Sequence, residues 1–172
     1  MNTYSPRRTA HKQAGFTLVE LVTVILILGV LAAVALPKYA DLQGKAREAK
    51  VKTVAGSVKS AAGLVKAAAL VNLGTCSAAT AGTVSMEGTS IALNHCYPQA
   101  LGSFATGILA AANVTAADSW QISTTNGGGS AVGSALTIEL SDAATPATCS
   151  ITYTSPAANN TPASVSSTLT GC

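Results

Sequence analysis

The sequence predicts an α+β fold. A long N-terminal α-helix projects an apolar half and packs an amphipathic half on a small antiparallel β-sheet. Three observations carry this expectation. From Leu21 to Leu36, sixteen residues pass with Thr23 as the only polar side chain. From Lys38 onward, Val51, Val54, Val58 and Val65 recur at steps of three, four and seven, the spacing of one buried helix face. After Gly74 the pattern shortens to β-branched and aromatic runs broken by Gly, Asn and Pro, which read as strands and turns.

Residues 1–15 form a basic leader carrying Arg7, Arg8 and Lys12. The apolar span then runs from Phe16 to Leu36, 21 residues or about 31 Å of helix, which matches a bilayer core. Glu20 lies inside it. A carboxylate in hydrocarbon costs several kcal/mol, so an intramembrane acid is a functional candidate. An amine at similar depth would partner it, and cleavage after Gly15 would create one at Phe16. A conventional signal peptide is the rival reading, with Ala33-Val34-Ala35 as the small-residue site, but it leaves Glu20 without a role.

The helix is expected over residues 16–73, about 87 Å if unbroken. Gly29 and Pro37 fall inside it. Glycine lowers helix propensity, and proline lacks an amide donor and clashes with the preceding turn. Lost backbone bonds are costly in lipid but tolerable among packed neighbours, so the helix is expected to kink or melt near 29–37. Gly74 is a plausible stop after the last turn.

Residues 74–172 form the head. Thr83–Met86 and Ser90–Leu93 flank Glu87-Gly88-Thr89 as a hairpin. Tyr97-Pro98 is expected to open a helix with Leu101, Phe104 and Ile108 on its buried face and Asn113 at its end. Strands are expected at Trp120–Thr124, Leu136–Leu140 and Cys149–Thr154, with Asn126-Gly127-Gly128-Gly129 as a turn. The stretch from Ser155 to Cys172 reads as a surface loop.

Four cysteines, Cys76, Cys96, Cys149 and Cys172, follow the apolar span. A cationic leader stays cytoplasmic, which sends the rest outward, where thiols oxidise. The favoured pairing is Cys76–Cys96 and Cys149–Cys172, because it closes the short loops; a zinc site is the alternative, with neither a C-x-x-C nor a second histidine near His95 to support it. His95 is expected at the surface.

Apolar residues make up 48% of the 172, aromatics 4% and charges 10%. The formal charge of +3 includes the leader; beyond Gly15 there are seven basic and seven acidic side chains. Every one of those basic residues lies between Lys38 and Lys66, while Glu87, Asp118, Glu139 and Asp142 charge the head. Lys38, Lys45, Lys52, Lys59 and Lys66 repeat by seven and form one slowly drifting stripe. Asp41 and Glu48 precede Lys45 and Lys52 by four, the favourable order for intrahelical pairs. Lys59 or Lys66 is expected to meet Glu87, Asp118, Glu139 or Asp142, in the same chain or across a subunit boundary. Arg47 falls on the valine side without an evident purpose.

No catalytic constellation, metal-binding cluster or cofactor fingerprint is visible, and the chain is expected not to be an enzyme. The sequons Asn113-Val-Thr115 and Asn159-Asn-Thr161 read as chance in so Thr-rich a chain. Nucleic-acid binding by the basic helix is disfavoured, since packing would hide much of it.

Gly15-Phe16-Thr17-Leu18-Val19-Glu20, with a basic leader before it and an apolar helix after it, resembles the class III signal of type IV pilins. The match covers residues 1 to about 66. The remainder resembles more loosely the mannose-sensitive haemagglutinin type of major pilin. The resemblance implies a prepilin peptidase that cuts after Gly15 and methylates Phe16, and a Glu20 that neutralises the Phe16 amine of a neighbouring subunit. It also implies a pilin fold whose helix unwinds near Gly29 and Pro37 in the filament. The implied partners are identical subunits in a helical homopolymer and an inner-membrane assembly platform with its ATPase. The implied location is the inner membrane as precursor, then the cell-surface pilus. A type II secretion pseudopilin, similar in its leader, is the alternative; it usually carries a calcium loop where this chain has Cys149 and Cys172, and no acidic cluster with that spacing is present.

Overall fold

The computed structural model describes residues 15–74, 76 and 82–172. The expected leader lies outside the described residues, apart from Gly15. The chain divides into two compact units, the first ending at Asp41 and the second comprising Leu42–Cys172.

In the first unit the chain enters α1 (Leu18–Leu73), and the large apolar side chains from Phe16 to Leu36 are exposed. The helix is long and apolar enough to cross a membrane. Thr23 Oγ1 donates to the Glu20 carbonyl at 2.9 Å, so the one polar side chain of the run satisfies itself on its own backbone. Gly29 and Pro37 both keep helical backbone. The break expected between them is thus absent from the single chain. Proline alone removes one i→i−4 bond, and nothing in an isolated helix compensates for releasing more.

In the second unit α1 ends at Leu73, and Gly74 adopts φ 69° with its amide donating to Leu70 O at 3.1 Å, a left-handed cap. Two antiparallel sheets follow. The first orders β1 (Thr83–Met86), β2 (Thr89–Asn94) and β3 (Tyr97–Pro98). The second orders β4 (Trp120–Gly127), β5 (Ala135–Leu140), β6 (Ser150–Thr154) and β7 (Ser164–Thr168). Short 3-10 turns at Ala116–Asp118 and Pro146–Thr148 precede β4 and β6.

The valine stripe of α1 serves both sheets. Val51, Val58, Ala61 and Ala62 share a core with Trp120, Leu136, Ile138, Leu140, Ile151 and Tyr153. One to two turns on, Val65 and Ala69 share a second core with Val84, Ile91, Leu93 and Cys96. Alanine at 61, 62 and 69 lets the helix backbone approach strands that carry the bulk. Register keeps the large side chains in step: Ile138 pairs with Ile151, Leu136 with Tyr153 and Val84 with Ile91.

Three expectations are corrected. Tyr97-Pro98 does not open a helix but forms β3 against β2, with Leu93 opposite Pro98. The helix α2 spans only Gly107–Ala111, because Gly107 sits at φ 66°, which a right-handed helix cannot continue through. Of the three residues assigned to its buried face, Ile108 is buried, while Leu101 and Phe104 are half-buried. The stretch Ser155–Cys172 is not all loop, since β7 pairs along the whole of β6. β4 continues to Gly127 through an irregularity after Ile122, and Gly128, at φ 80°, follows it. A Cβ on Gly128 would strike the carbonyl of Ala100, whose oxygen accepts the Gly129 amide at 2.6 Å.

Two buried polar groups join the sheets. Asn94, fully buried, donates from Nδ2 to the carbonyls of Ser130 and Ala131, each at 3.0 Å, and accepts from Gln99 Nε2 at 3.2 Å. The Tyr153 hydroxyl donates to Pro98 O at 2.7 Å. Burial, with a smaller contribution from Tyr97, raises the Tyr153 phenol well above its ordinary value of 10.0. The folded state therefore keeps this phenol protonated while the unfolded chain ionises it near pH 10. Stability from this group is complete below that pH and is lost as pH rises above it. Chemical denaturation between pH 9 and 12 is expected to show a loss approaching 1.4 kcal/mol per pH unit, on the order of the linkage limit. Tyr153→Phe is expected to reduce that slope; an unchanged slope would show that other groups set it.

Candidate assembly site at the start of the long helix

Gly15, Phe16 and Thr17 precede the first turn of α1, and Phe16 is 91% exposed. The site is built from Thr17 outward. Its carbonyl accepts the first helical bond, from Leu21 N at 3.3 Å. Its hydroxyl accepts from Glu20 N at 3.2 Å. Glu20 reciprocates: Oε2 accepts from Thr17 N at 2.9 Å and from Thr17 Oγ1 at 2.8 Å. This is a capping box, with the cap residue and the third helical residue each satisfying the other's backbone amide. Both donors land on Oε2.

Glu20 thus has a structural role. It closes the helix start, where unsatisfied amides would be expensive in an apolar medium. Thr17 was not singled out from the sequence, although Thr17-Leu18-Val19-Glu20 before an apolar run is the Ser/Thr-x-x-Glu signature of such a cap.

The four cysteines are joined as Cys76–Cys96 and Cys149–Cys172, with Cα separations of 5.3 and 4.9 Å. Cys96 and Cys149 are fully buried. His95 is not at the surface: it is 9% exposed, and with Cys96 it makes the two-residue turn between β2 and β3, both at positive φ.

The lysines find other partners than those expected within the chain. Among the described residues the one ion pair is Lys52–Glu48, at 3.5 Å between exposed groups, an interaction of only a few tenths of a kcal/mol. Lys66 Nζ donates to the Tyr97 hydroxyl at 3.2 Å and lies 4.8 Å from the centre of its ring, so its partner in the head is a phenol and not a carboxylate. Lys50, which is off the seven-residue stripe, donates to the Asp118 carbonyl and lies 5.9 Å from the centre of the Trp120 ring. Arg47 gains a purpose. Its guanidinium donates to the main-chain oxygen of Cys172 at 3.3 Å, tying α1 to the residue that closes the second disulfide.

A long apolar helix, capped by a Thr–Glu pair at its start and followed by disulfide-bonded antiparallel sheets, places the chain in the α+β class with an N-terminal apolar helix. The comparisons match its N-terminal segment. Residues 10–36 match the prokaryotic N-terminal methylation motif. The chain is similar to fimbrial protein EcpB of Eikenella corrodens, 53% identical over 47 residues, which cover 27% of this chain and 30% of that protein. It is 46% identical over 43 residues to the type IV narrow pilus major component PilA5 of Thermus thermophilus, covering 25% and 37%. With the type IV major pilin protein PilE1 of Neisseria gonorrhoeae, identity is 60% over 35 residues, covering 20% and 21%. The matched segment therefore spans roughly a fifth to just over a third of these relatives. No solved structure matches. The methylation motif, these relatives and the α+β architecture support a type IV major pilin.

Proposed function

We propose that this chain is the structural subunit of a type IV pilus, held in the inner membrane by its apolar helix before assembly into a surface filament. The observation that carries the proposal is the start of α1: Gly15-Phe16 stands directly before a capped helix whose Glu20 takes both cap bonds on Oε2. Cleavage after Gly15 leaves the apolar helix attached and places a methylated amine at Phe16, and Glu20 of a neighbouring subunit takes that amine during docking. Pairing offsets the cost of burying either charge alone. Prepilin peptidase, the assembly platform and its ATPase are the partners this scheme requires. The Cys149–Cys172 bond around the end of the head favours a pilus over a secretion pseudopilin.

The intact mass of purified filaments tests the processing. The expected species begins at Phe16 with one added methyl group. A start beyond Ala35 would mean a conventional signal peptide, and the filament assignment would go with it.

Within the filament we place an extensible joint between Gly29 and Pro37. Pro37 already leaves the Ala33 carbonyl without its helical donor, and neighbouring helices can shelter further open groups. A filament reconstruction is expected to lack i→i−4 bonds there. Unbroken bonding from Phe16 to Leu73, proline apart, would rule the joint out.

A further inference from the structure

The second unit contains a cavity of about 440 Å³ lined by Lys66, His95, Tyr97, Asn159, Asn160 and Thr161, a size typical of small-molecule sites. Among the described residues no carboxylate lines it, so Lys66 gives it a net positive charge. The Lys66 ammonium spends one donor on the Tyr97 hydroxyl and lies over that ring, which presents cation and phenol side by side. Leu70 supplies an apolar wall.

His95 lines the cavity at 9% exposure, while its Nδ1 is enclosed by the fold, without a hydrogen-bond partner among the described residues. The two-residue turn between β2 and β3 holds His95 and Cys96 at φ 48° and 64°, as a tight antiparallel hairpin requires, and so fixes His95 at the cavity wall. The disulfide from Cys96 to Cys76 anchors the turn.

We propose that this cavity binds a small hydroxy acid of hexuronate size. Its carboxylate sits on the Lys66 ammonium and the Tyr97 hydroxyl, and its ring hydroxyls meet His95, Asn160 and Thr161. The absence of any lining carboxylate among the described residues favours an anion, and the amide and hydroxyl groups around one cation favour a polyol over a bare acid. The site belongs wholly to the second unit.

The test is a nuclear magnetic resonance titration of the isotope-labelled full chain in detergent micelles with D-glucuronate, D-glucose and acetate. Saturable shifts at His95 and Thr161 are expected with glucuronate, and at least tenfold weaker binding with glucose or acetate. Lys66→Gln is expected to weaken glucuronate at least tenfold. Asn160→Gly, which tolerates the positive φ of 64° at that position, is expected to weaken it about threefold. The proposal is overturned if no saturable shift occurs, if glucose or acetate binds as tightly as glucuronate, or if both variants bind like the parent chain.

Discussion

Glu20→Val is expected to insert into the membrane normally and to lower filament yield at least tenfold. Valine removes the charge that a neighbour's Phe16 amine would need during docking, and it makes insertion easier, since an acid at depth costs several kcal/mol. It also removes half of the capping box, a loss of about 1 kcal/mol in helix stability. A second variant separates these effects. Glu20→Gln keeps an acceptor for the Thr17 amide and hydroxyl, which now bond Oε2 at 2.9 and 2.8 Å, but it carries no charge. If the cap alone matters, the glutamine variant should assemble like the parent chain. If charge pairing matters, it should fail as the valine variant does. Filament yield on cells, compared with the amount of membrane-held precursor, reads the difference; normal yield from Glu20→Val would remove the pairing role altogether.

The second large effect concerns the end of the head. Converting Cys149 and Cys172 together to alanine is expected to cost about 3 kcal/mol, from the restored freedom of a loop of this length in the unfolded chain. For a head of this size that corresponds to roughly 10 °C in melting temperature. The structure says where the loss should show first. β7 lies at the edge of its sheet and pairs only with β6, and beyond it the chain is held by the disulfide, by Arg47 on the Cys172 oxygen, and by the Gly171 amide on Thr148 O at 3.0 Å. Amide exchange in Ser164–Thr168 should therefore accelerate before exchange in β5 or β6. Equal protection of β7 in the variant and the parent would show that the edge strand does not depend on the bond.

Much of this was legible in the chain itself. The apolar span, the valine periodicity and the break in pattern at Gly74 predicted the long helix and its two kinds of surface, because helix burial repeats every three to four residues and needs no distant partner to be seen. The hairpin at Glu87-Gly88 was equally local, since its turn requires residues that accept positive φ, and both adopt it, at 48° and 82°. Gly15, Phe16 and Glu20 stood out because a charge inside an apolar run is conspicuous in one dimension.

What only the tertiary structure decided depends on partners far along the chain. Ser164-Val-Ser-Ser-Thr168 has little strand preference of its own; it becomes β7 because the open edge of β6 supplies backbone donors and acceptors. Tyr97-Pro98 looks like a helix start locally, yet β2 and the Lys66 contact make it a strand. Arg47 had no reason within its helix, because its acceptor is 125 residues away in sequence. His95 and Lys66 became candidates for a site only when β3 and the Asn159–Thr161 turn were brought to one cavity. Periodicity records which face of an element is buried; it carries no information about what lies opposite, and at this chain's sites the opposite group supplies the chemistry.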